Sequence, residues 1–393
     1  MTYTETPCWT SLQRLDAWLV KNEYKGYDPF DGLSSYLRPL TLYKKLPQQV
    51  LQQGVRRIPW NLRPLLGIKP HTSTKGMGFL AGGYLNLYLL TRDERYLERT
   101  RWVLDWLMAN NSKGYSGYCW GNAFDYISRG SDIPKHAPTV VWSGLIGHEF
   151  IEAYRALKDE RYLDVARSIG THILKDLPRF PVPNGTCISY VTDAKLAVHN
   201  ANLIGARMLA ELYKETGDTT LRDIATEAVR YSARAQLDNG AWYYGEDPMY
   251  HWIDNWHTAY DLDSILLYQL NTGNTEFQPV LDKGLRFYTG HFFTEEGGPK
   301  YYWDRMYKYD IQSASQSIDT LTLFSRAFGK PELLALAERV ALWTIRNMQD
   351  PEGYFYLWKN NWFTNKTPTF HWGAATMFHA LAYHLRERTS REH

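Results

Sequence analysis

Four aspartates, Asp125, Asp193, Asp254 and Asp310, each stand shortly before an apolar stretch with helical patterning. Paired carboxylates in such places suit cleavage of a glycosidic bond, one protonated to donate to the leaving oxygen and one ionised to activate water or attack. Aspartate is also a preferred helix N-cap, so each position has a structural reading beside the chemical one. Asp254 ranks first as a candidate, with Asp125 and Asp310 next. His257 and His371 open apolar stretches too, and His199 adjoins Asn200 and Asn202. A histidine near the positive end of a helix stays neutral more readily, which lets it act as a base or bind a hydroxyl. Three functions therefore stand side by side. Hydrolysis by two aspartates comes first, proton exchange at carbon by His257 and His371 is the alternative, and glycan binding without catalysis is the third.

The composition supplies rings to go with these groups: 15 Trp, 29 Tyr and 15 Phe, many of them outside the apolar helical stretches. The segment from Gly240 to Ile265 shows the pattern, passing from Trp242, Tyr244 and Trp252 through Asp254 and His257 into a helix. Trp120, Tyr302 and Trp372 sit in similar surroundings. Sugars suit such a lining, because their C–H faces stack on rings while their hydroxyls bond to polar side chains. Trp120, Trp242, Trp252 and Trp372 are read as stacking platforms, with His199, Asn200, Tyr244, Tyr302 and Gln316 as hydroxyl ligands. Lys300 would balance an acidic sugar or be a solvated charge.

The elements that must carry these residues repeat. Thr91-Arg-Asp-Glu-Arg-Tyr-Leu97 returns as Lys158-Asp-Glu-Arg-Tyr-Leu163, and looser versions begin at Gly217, Gly273 and Gly329. The period is roughly 55 to 65 residues, which suits helix hairpins with long return loops. Before each turn lies an apolar helix rich in small residues, at 77–90, 139–157, 197–215, 256–271 and 311–328, and a sixth lies at 373–385. After each turn lies an amphipathic helix such as 96–108 or 333–348. Pairing the sixth apolar helix with an amphipathic one at 12–20 closes the set. The expectation is an all-α, (α/α)6 barrel forming a single domain over 1–393, with 21–74 packing across it. Its long connections would all emerge at one end and gather the rings there around a cavity.

With 44 Lys plus Arg against 42 Asp plus Glu, the charges balance and are read as interspersed, so neither nucleic acid nor a membrane surface is indicated. No stretch approaches the roughly 18 apolar residues of a membrane span, and the first residues do not pattern as a signal peptide. The expected location is cytoplasmic. Cys8, Cys119 and Cys187 are too scattered for a metal site or a disulfide framework. No phosphate-cradling loop appears, so no metal or cofactor is expected. The expected partner is an oligosaccharide or polysaccharide, and the pattern assigns no oligomeric state.

Trp60-Asn-Leu-Arg63, Cys119-Trp-Gly-Asn-Ala-Phe-Asp125, His199-Asn-Ala-Asn-Leu-Ile-Gly205, Trp252-Ile-Asp-Asn-Trp-His-Thr258 and Asp310-Ile-Gln-Ser together resemble a bacterial family of exopolysaccharide and lipopolysaccharide biosynthesis proteins. The resemblance covers the chain from about Pro59 onward and implies a helical toroid acting on glycans. A looser similarity is to the N-acylglucosamine 2-epimerases, which place two histidines at inner-helix starts. His257 and His371 match them by order, although Trp256-His-Thr-Ala-Tyr260 departs from that family's Gly-His-x-x-Glu-Trp pattern. Six-hairpin glycosidases share the toroid at the level of fold.

Overall fold

The computed structural model describes residues 3–183 and 185–392, and thirteen α-helices lie among them. Six form an inner ring: α3 (Thr74–Thr91), α5 (Val140–Leu157), α7 (His199–Thr216), α9 (Asn255–Thr272), α11 (Ile311–Phe328) and α13 (Thr376–Glu392). Each packs on the next, and α13 closes back onto α3. Six more surround them: α1 (Pro7–Lys21), α4 (Glu94–Ala109), α6 (Glu160–Lys175), α8 (Thr219–Arg234), α10 (Gln278–His291) and α12 (Pro331–Met348). The fold is an (α/α)6 barrel, and the pairing of α1 with α13 supplies its sixth hairpin.

The repeated turns follow from helix-end chemistry. Five inner helices end on a left-handed residue, Arg92, Lys158, Gly217, Gly273 or Gly329, whose N–H reaches back to the last turn. After three of these an aspartate follows at once, and Asp93, Asp159 and Asp218 each cap the next outer helix. The Arg-Asp-Glu-Arg-Tyr repeat is thus a C-cap joined to an N-cap. At their other ends the inner helices are capped by Ser73, Thr139, Asp254 and Asp310 among others. Inner helices are buried on nearly every side, so small residues are needed where they touch: a Cβ on Gly144 would lie 2.5 Å from Ile204.

The long connections collect at the N-terminal ends of the inner helices. They carry β1 (Tyr126–Ile127) with β2 (Asp132–Ile133), β3 (Arg179–Val182) with β4 (Gly185–Ile188), and β5 (Tyr309–Asp310), β6 (Trp358–Lys359) and β7 (Thr364–Asn365), all antiparallel. Residues 22–73, including α2 (Lys45–Arg57), lie against these connections. Gln52 bonds both backbone groups of Ile127, Asn365 donates to the Ile58 carbonyl, and Tyr27 pairs with Thr369. The last inner helix starts earlier than its apolar pattern indicates, with a π-helical turn at Phe370–Ala375 that leads into α13. Such a turn widens the helix and re-aims its side chains, here His371 and Trp372. No described helix is long and apolar enough to cross a membrane, and the three cysteines are free and buried.

Candidate functional site

Asp254 caps α9 by accepting the His257 N–H at 3.0 Å through Oδ1. Its Oδ2 lies 2.6 Å from His257 Nδ1 and accepts the Trp252 indole N–H at 3.0 Å. One buried carboxylate thus fixes a helix start, an indole and an imidazole. With Nδ1–H donated to Asp254, the other ring nitrogen of His257 is the basic one. The imidazole sits among rings: Tyr244 at 4.4 Å and Trp256 at 3.5 Å between centroids, with Trp252 stacked on Tyr244 at 4.6 Å. Tyr302 joins this group through a backbone bridge to Asp254.

Ring contacts lead from there to the second histidine. Trp256 meets Trp372 edge-to-face at 5.2 Å, Trp372 meets His371 at 5.4 Å, and His371 contacts Trp142 and Phe79. His371 is buried, and its Nδ1 lies 3.5 Å from Asp28 Oδ2. Burial, with the Lys75 charge beside it, pushes the imidazole down to about 4, so it is neutral near pH 7. The Lys75 ammonium stands over Trp142, Tyr260 and Phe79 at 4.8, 5.7 and 5.9 Å. Burial lowers it to about 7, against the opposing pull of Asp28. Asp28 arrives from the 22–73 segment and is anchored there. Arg63, fully buried, donates to Asp31 Oδ1 at 2.7 Å and to the Asp28 carbonyl at 2.8 Å, and Asp31 Oδ2 accepts the Asp28 N–H.

The other carboxylates are differently engaged. Asp310 caps α11 through Gln312 N–H and faces Lys308 at 3.6 Å, and burial lowers that lysine to about 8 despite the attraction of Asp310. Asp125 accepts from Arg38 and from the Lys135 N–H, which ties its connection to the 22–73 segment. Trp120 and Trp242 are buried between layers, where their indole N–H groups donate to the carbonyls of Leu107 and Ser232 in the last turns of α4 and α8. His199 lies between Ser232 Oγ and Glu246 Oε1, at 3.1 and 3.4 Å. Asn200 is buried next to it on the helix, with Oδ1 unpartnered among the described residues. Lys300 donates to the Trp303 carbonyl. The structure therefore brings Asp254, His257, Tyr244, Trp252, Tyr302, His371 and Trp372 into one aromatic cluster. Asp125, Trp120, Trp242 and Lys300 are engaged elsewhere, and His199 adjoins the cluster through its backbone N–H to the Tyr244 carbonyl while its ring faces Ser232 and Glu246.

Gln316 lies deeper. One and a half turns into α11, it donates to Asp263 Oδ2 at 2.8 Å and lines a cavity of about 460 Å³ that runs down the bore towards the short-turn end. The sequence pattern places the cavity among the loop rings. Many of those rings contact one another, and this cavity reaches the opposite end. Its walls hold His379, whose Nδ1 is 3.1 Å from both Asp319 oxygens and whose Nε2 is 3.6 Å from Glu149. Burial disfavours the charge on His379, but Asp319 and Glu149 outweigh it and hold the imidazole at about 9. Burial raises Asp263 to about 8. Phe79 and Tyr260, two of the rings beneath Lys75, line the cavity's inner reach.

Sequence reasoning gave Lys75 the same two readings as Lys300, a partner for an acidic sugar or a solvated charge, gave Asp263 only a weak one beside Asp261, and passed over Asp28, Trp142, Glu149, Asp319 and His379. A signal was present: each of these except Asp28 lies on an inner helix, and an ionisable residue on a helix that is apolar all round must face a partner or a cavity. Among the described residues no group of His, Cys, Asp and Glu is arranged to hold a metal ion.

No protein-family model matches the chain, and no curated protein matches it. Solved structures do. The chain is similar to a GH76 alpha-mannanase of Bacteroides thetaiotaomicron, with a TM-score of 0.66 and 14% identity over 99% of this chain and 98% of that one. It is similar to the cellobiose 2-epimerase of Bacillus thermoamylovorans, with a TM-score of 0.64 and 13% identity over 82% and 90%. A sugar epimerase from a ruminal bacterium gives 0.61 and 14% identity over 82% and 90%. At these identities the likeness establishes the toroid fold.

Proposed function

We propose that the protein is a carbohydrate-active enzyme that moves a proton at a carbon of its sugar, as an epimerase or isomerase does, at the N-terminal ends of the inner helices. The observation that carries this reading is the state of Asp254, Asp125 and Asp310, the leading three of the four candidate aspartates, Asp193 being exposed. Asp254 already accepts three N–H groups, Asp125 is held by Arg38 and a backbone N–H, and Asp310 caps a helix beside Lys308. None is left as a paired acid and base for glycoside hydrolysis. His257 has what a general base needs, a carboxylate on Nδ1 that sets the tautomer and supports the imidazolium as it forms.

In this reading His257 Nε2 removes the proton next to the sugar carbonyl. The C–H electron pair passes into an enediolate, and a proton is returned from the side of Lys75 and His371, so atoms and charge balance over the cycle. Lys75, held near 7, can both give and take a proton near neutrality. Trp252, Trp256 and Trp372 would stack on the sugar. Several buried polar atoms at these helix starts lack hydrogen-bond partners among the described residues, including His371 Nε2, Trp256 Nε1, Asn255 Nδ2 and Gln312 Oε1. A polyhydroxylated ligand would supply them. The epimerase neighbours support the reading.

Hydrolysis is the second reading, favoured by the likeness to the GH76 alpha-mannanase over nearly the full chain. Incubating a panel of reducing mono- and disaccharides in deuterium oxide separates the two. Deuterium at a single carbon of recovered sugar supports proton transfer; new reducing ends from glycans, with no deuterium at carbon, would sink it.

A further inference from the structure

The charge balance of the whole chain conceals an uneven distribution. Residues 32–75 hold eight Lys or Arg and no Asp or Glu, so the rest of the chain carries a net charge of −6 against the overall +2. The segment is also apolar on its outside. α2 buries its amide face, with Gln48 and Gln52 nearly inaccessible, and turns Leu46 and Val50 outward at 70% and 65% exposure. That is the reverse of the usual polarity of a surface helix. In the turn before it Leu40 and Leu42 are 78% and 72% exposed. Leu42 and Tyr43 are left-handed at φ 50° and 53°, a conformation disfavoured for a residue with a Cβ. Arg38 stands over the Tyr43 ring at 5.3 Å and Gln48 donates to the Tyr43 carbonyl, whereas the Leu42 side chain is left exposed. Lys44, at the N-cap of α2, and Arg57, at its last position, are exposed, as is Lys45, which lies 3.5 Å from Asp132.

We propose that this face docks on an anionic lipid bilayer, with the 40–46 turn and the outer side of α2 entering the headgroup region and Lys44, Lys45 and Arg57 meeting lipid phosphates. The combination of exposed aliphatic side chains with flanking cations is what an interfacial surface requires. Nucleic acid would not use the leucines, which neither stack on bases nor accept hydrogen bonds. A second copy docked about a two-fold axis would bring this acid-free segment against itself, cation facing cation. The inference stands apart from the reaction proposed above.

Vesicle flotation with the full chain tests it. Binding is expected to phosphatidylcholine vesicles containing phosphatidylglycerol, to be absent with phosphatidylcholine alone, and to fall as salt rises. Lys44→Glu and Lys45→Glu should each lower partitioning at least roughly fivefold, and Leu42→Ser or Leu46→Ser roughly tenfold. Thermal midpoints should not move for the Lys44, Leu42 and Leu46 variants, whose side chains are exposed, and these three decide the outcome because Lys45→Glu also breaks the contact with Asp132. Failure to float with the anionic vesicles at low salt, or binding indifferent to the leucine variants, would overturn the proposal. So would a dimer in sedimentation velocity that Leu46→Ser dissociates, which would give the face to a second copy.

Discussion

The N-terminal and C-terminal ends of the inner helices differ in how they treat polar groups. At the N-terminal end His371 and Lys75 lie among rings with Asp28 as their acidic neighbour, and burial lowers them to about 4 and about 7. From the middle of the bore to the C-terminal end the charges are matched. His379 lies between Asp319 and Glu149, Glu211 takes both His148 and Arg207, and Arg155 binds Glu152, Glu215 and Asn271. Matched ions in a protein interior stabilise one geometry, whereas neutralised bases among rings retain the capacity to exchange protons. The same six helices thus offer a reactive end and a braced end.

Replacing His257 by Asn should break the reactive end with the largest effect, lowering kcat roughly 10²- to 10⁴-fold with the fold intact by circular dichroism. His379→Asn at the braced end should leave most turnover in place, and equal losses would erase the distinction. Arg63→Ala is expected to cost about 3–5 kcal/mol, because it leaves Asp31 buried and unpaired and frees the segment that brings Asp28 to His371. Urea denaturation measures that cost, and activity should fall with it.

The two histidines should also give the ends opposite responses to pH. His371 is lowered in the folded protein, so its contribution is present above about pH 6.5 and is lost as pH falls through about 4. His379 is raised, so its contribution is complete below about pH 6.5 and is lost as pH climbs through about 9. Each amounts to about 3 kcal/mol. Urea midpoints against pH should lose their acid limb in His371→Asn and their alkaline limb in His379→Asn; swapped limbs would reverse the comparison. The smallest effect belongs to Gly82, where a Cβ would stand 2.1 Å from Glu149 Oε2 and 2.8 Å from His379 Cδ2. Gly82→Ala should cost about 1–3 kcal/mol in thermal unfolding and hardly alter turnover.

The barrel was legible in the sequence because its determinants are local. α11 runs over 311–328 as its apolar pattern and flanking Asp310 and Gly329 indicate, and the turn repeat is a pair of caps. The uses of Trp120 and Trp242 were not legible. Both follow an outer helix, and both donate their indole N–H to its closing carbonyls, a tertiary bond that spacing does not encode. Gln316 was grouped with the loop residues by its nearness to Asp310, but the helical rise carries it about 9 Å down the bore. The π turn at Phe370–Ala375 leaves no mark in the apolar pattern, yet it sets the direction of His371. Averaging charge over the whole chain hid the acid-free run at 32–75.

The sixth hairpin joins α1 and α13 from opposite ends of the sequence, Gln349 at the end of neighbouring α12 donates to the Ser11 carbonyl 338 residues away, and Cys8, Leu12, Leu15 and Leu19 of α1 are fully buried. During synthesis, five hairpins must therefore wait as an open arc until α13 leaves the ribosome. Contacts so far apart make the final step slow, and the unsealed seam offers apolar surface to other nascent chains meanwhile. Expression yield should accordingly respond more to chaperone supply than the stability of the finished ring would suggest.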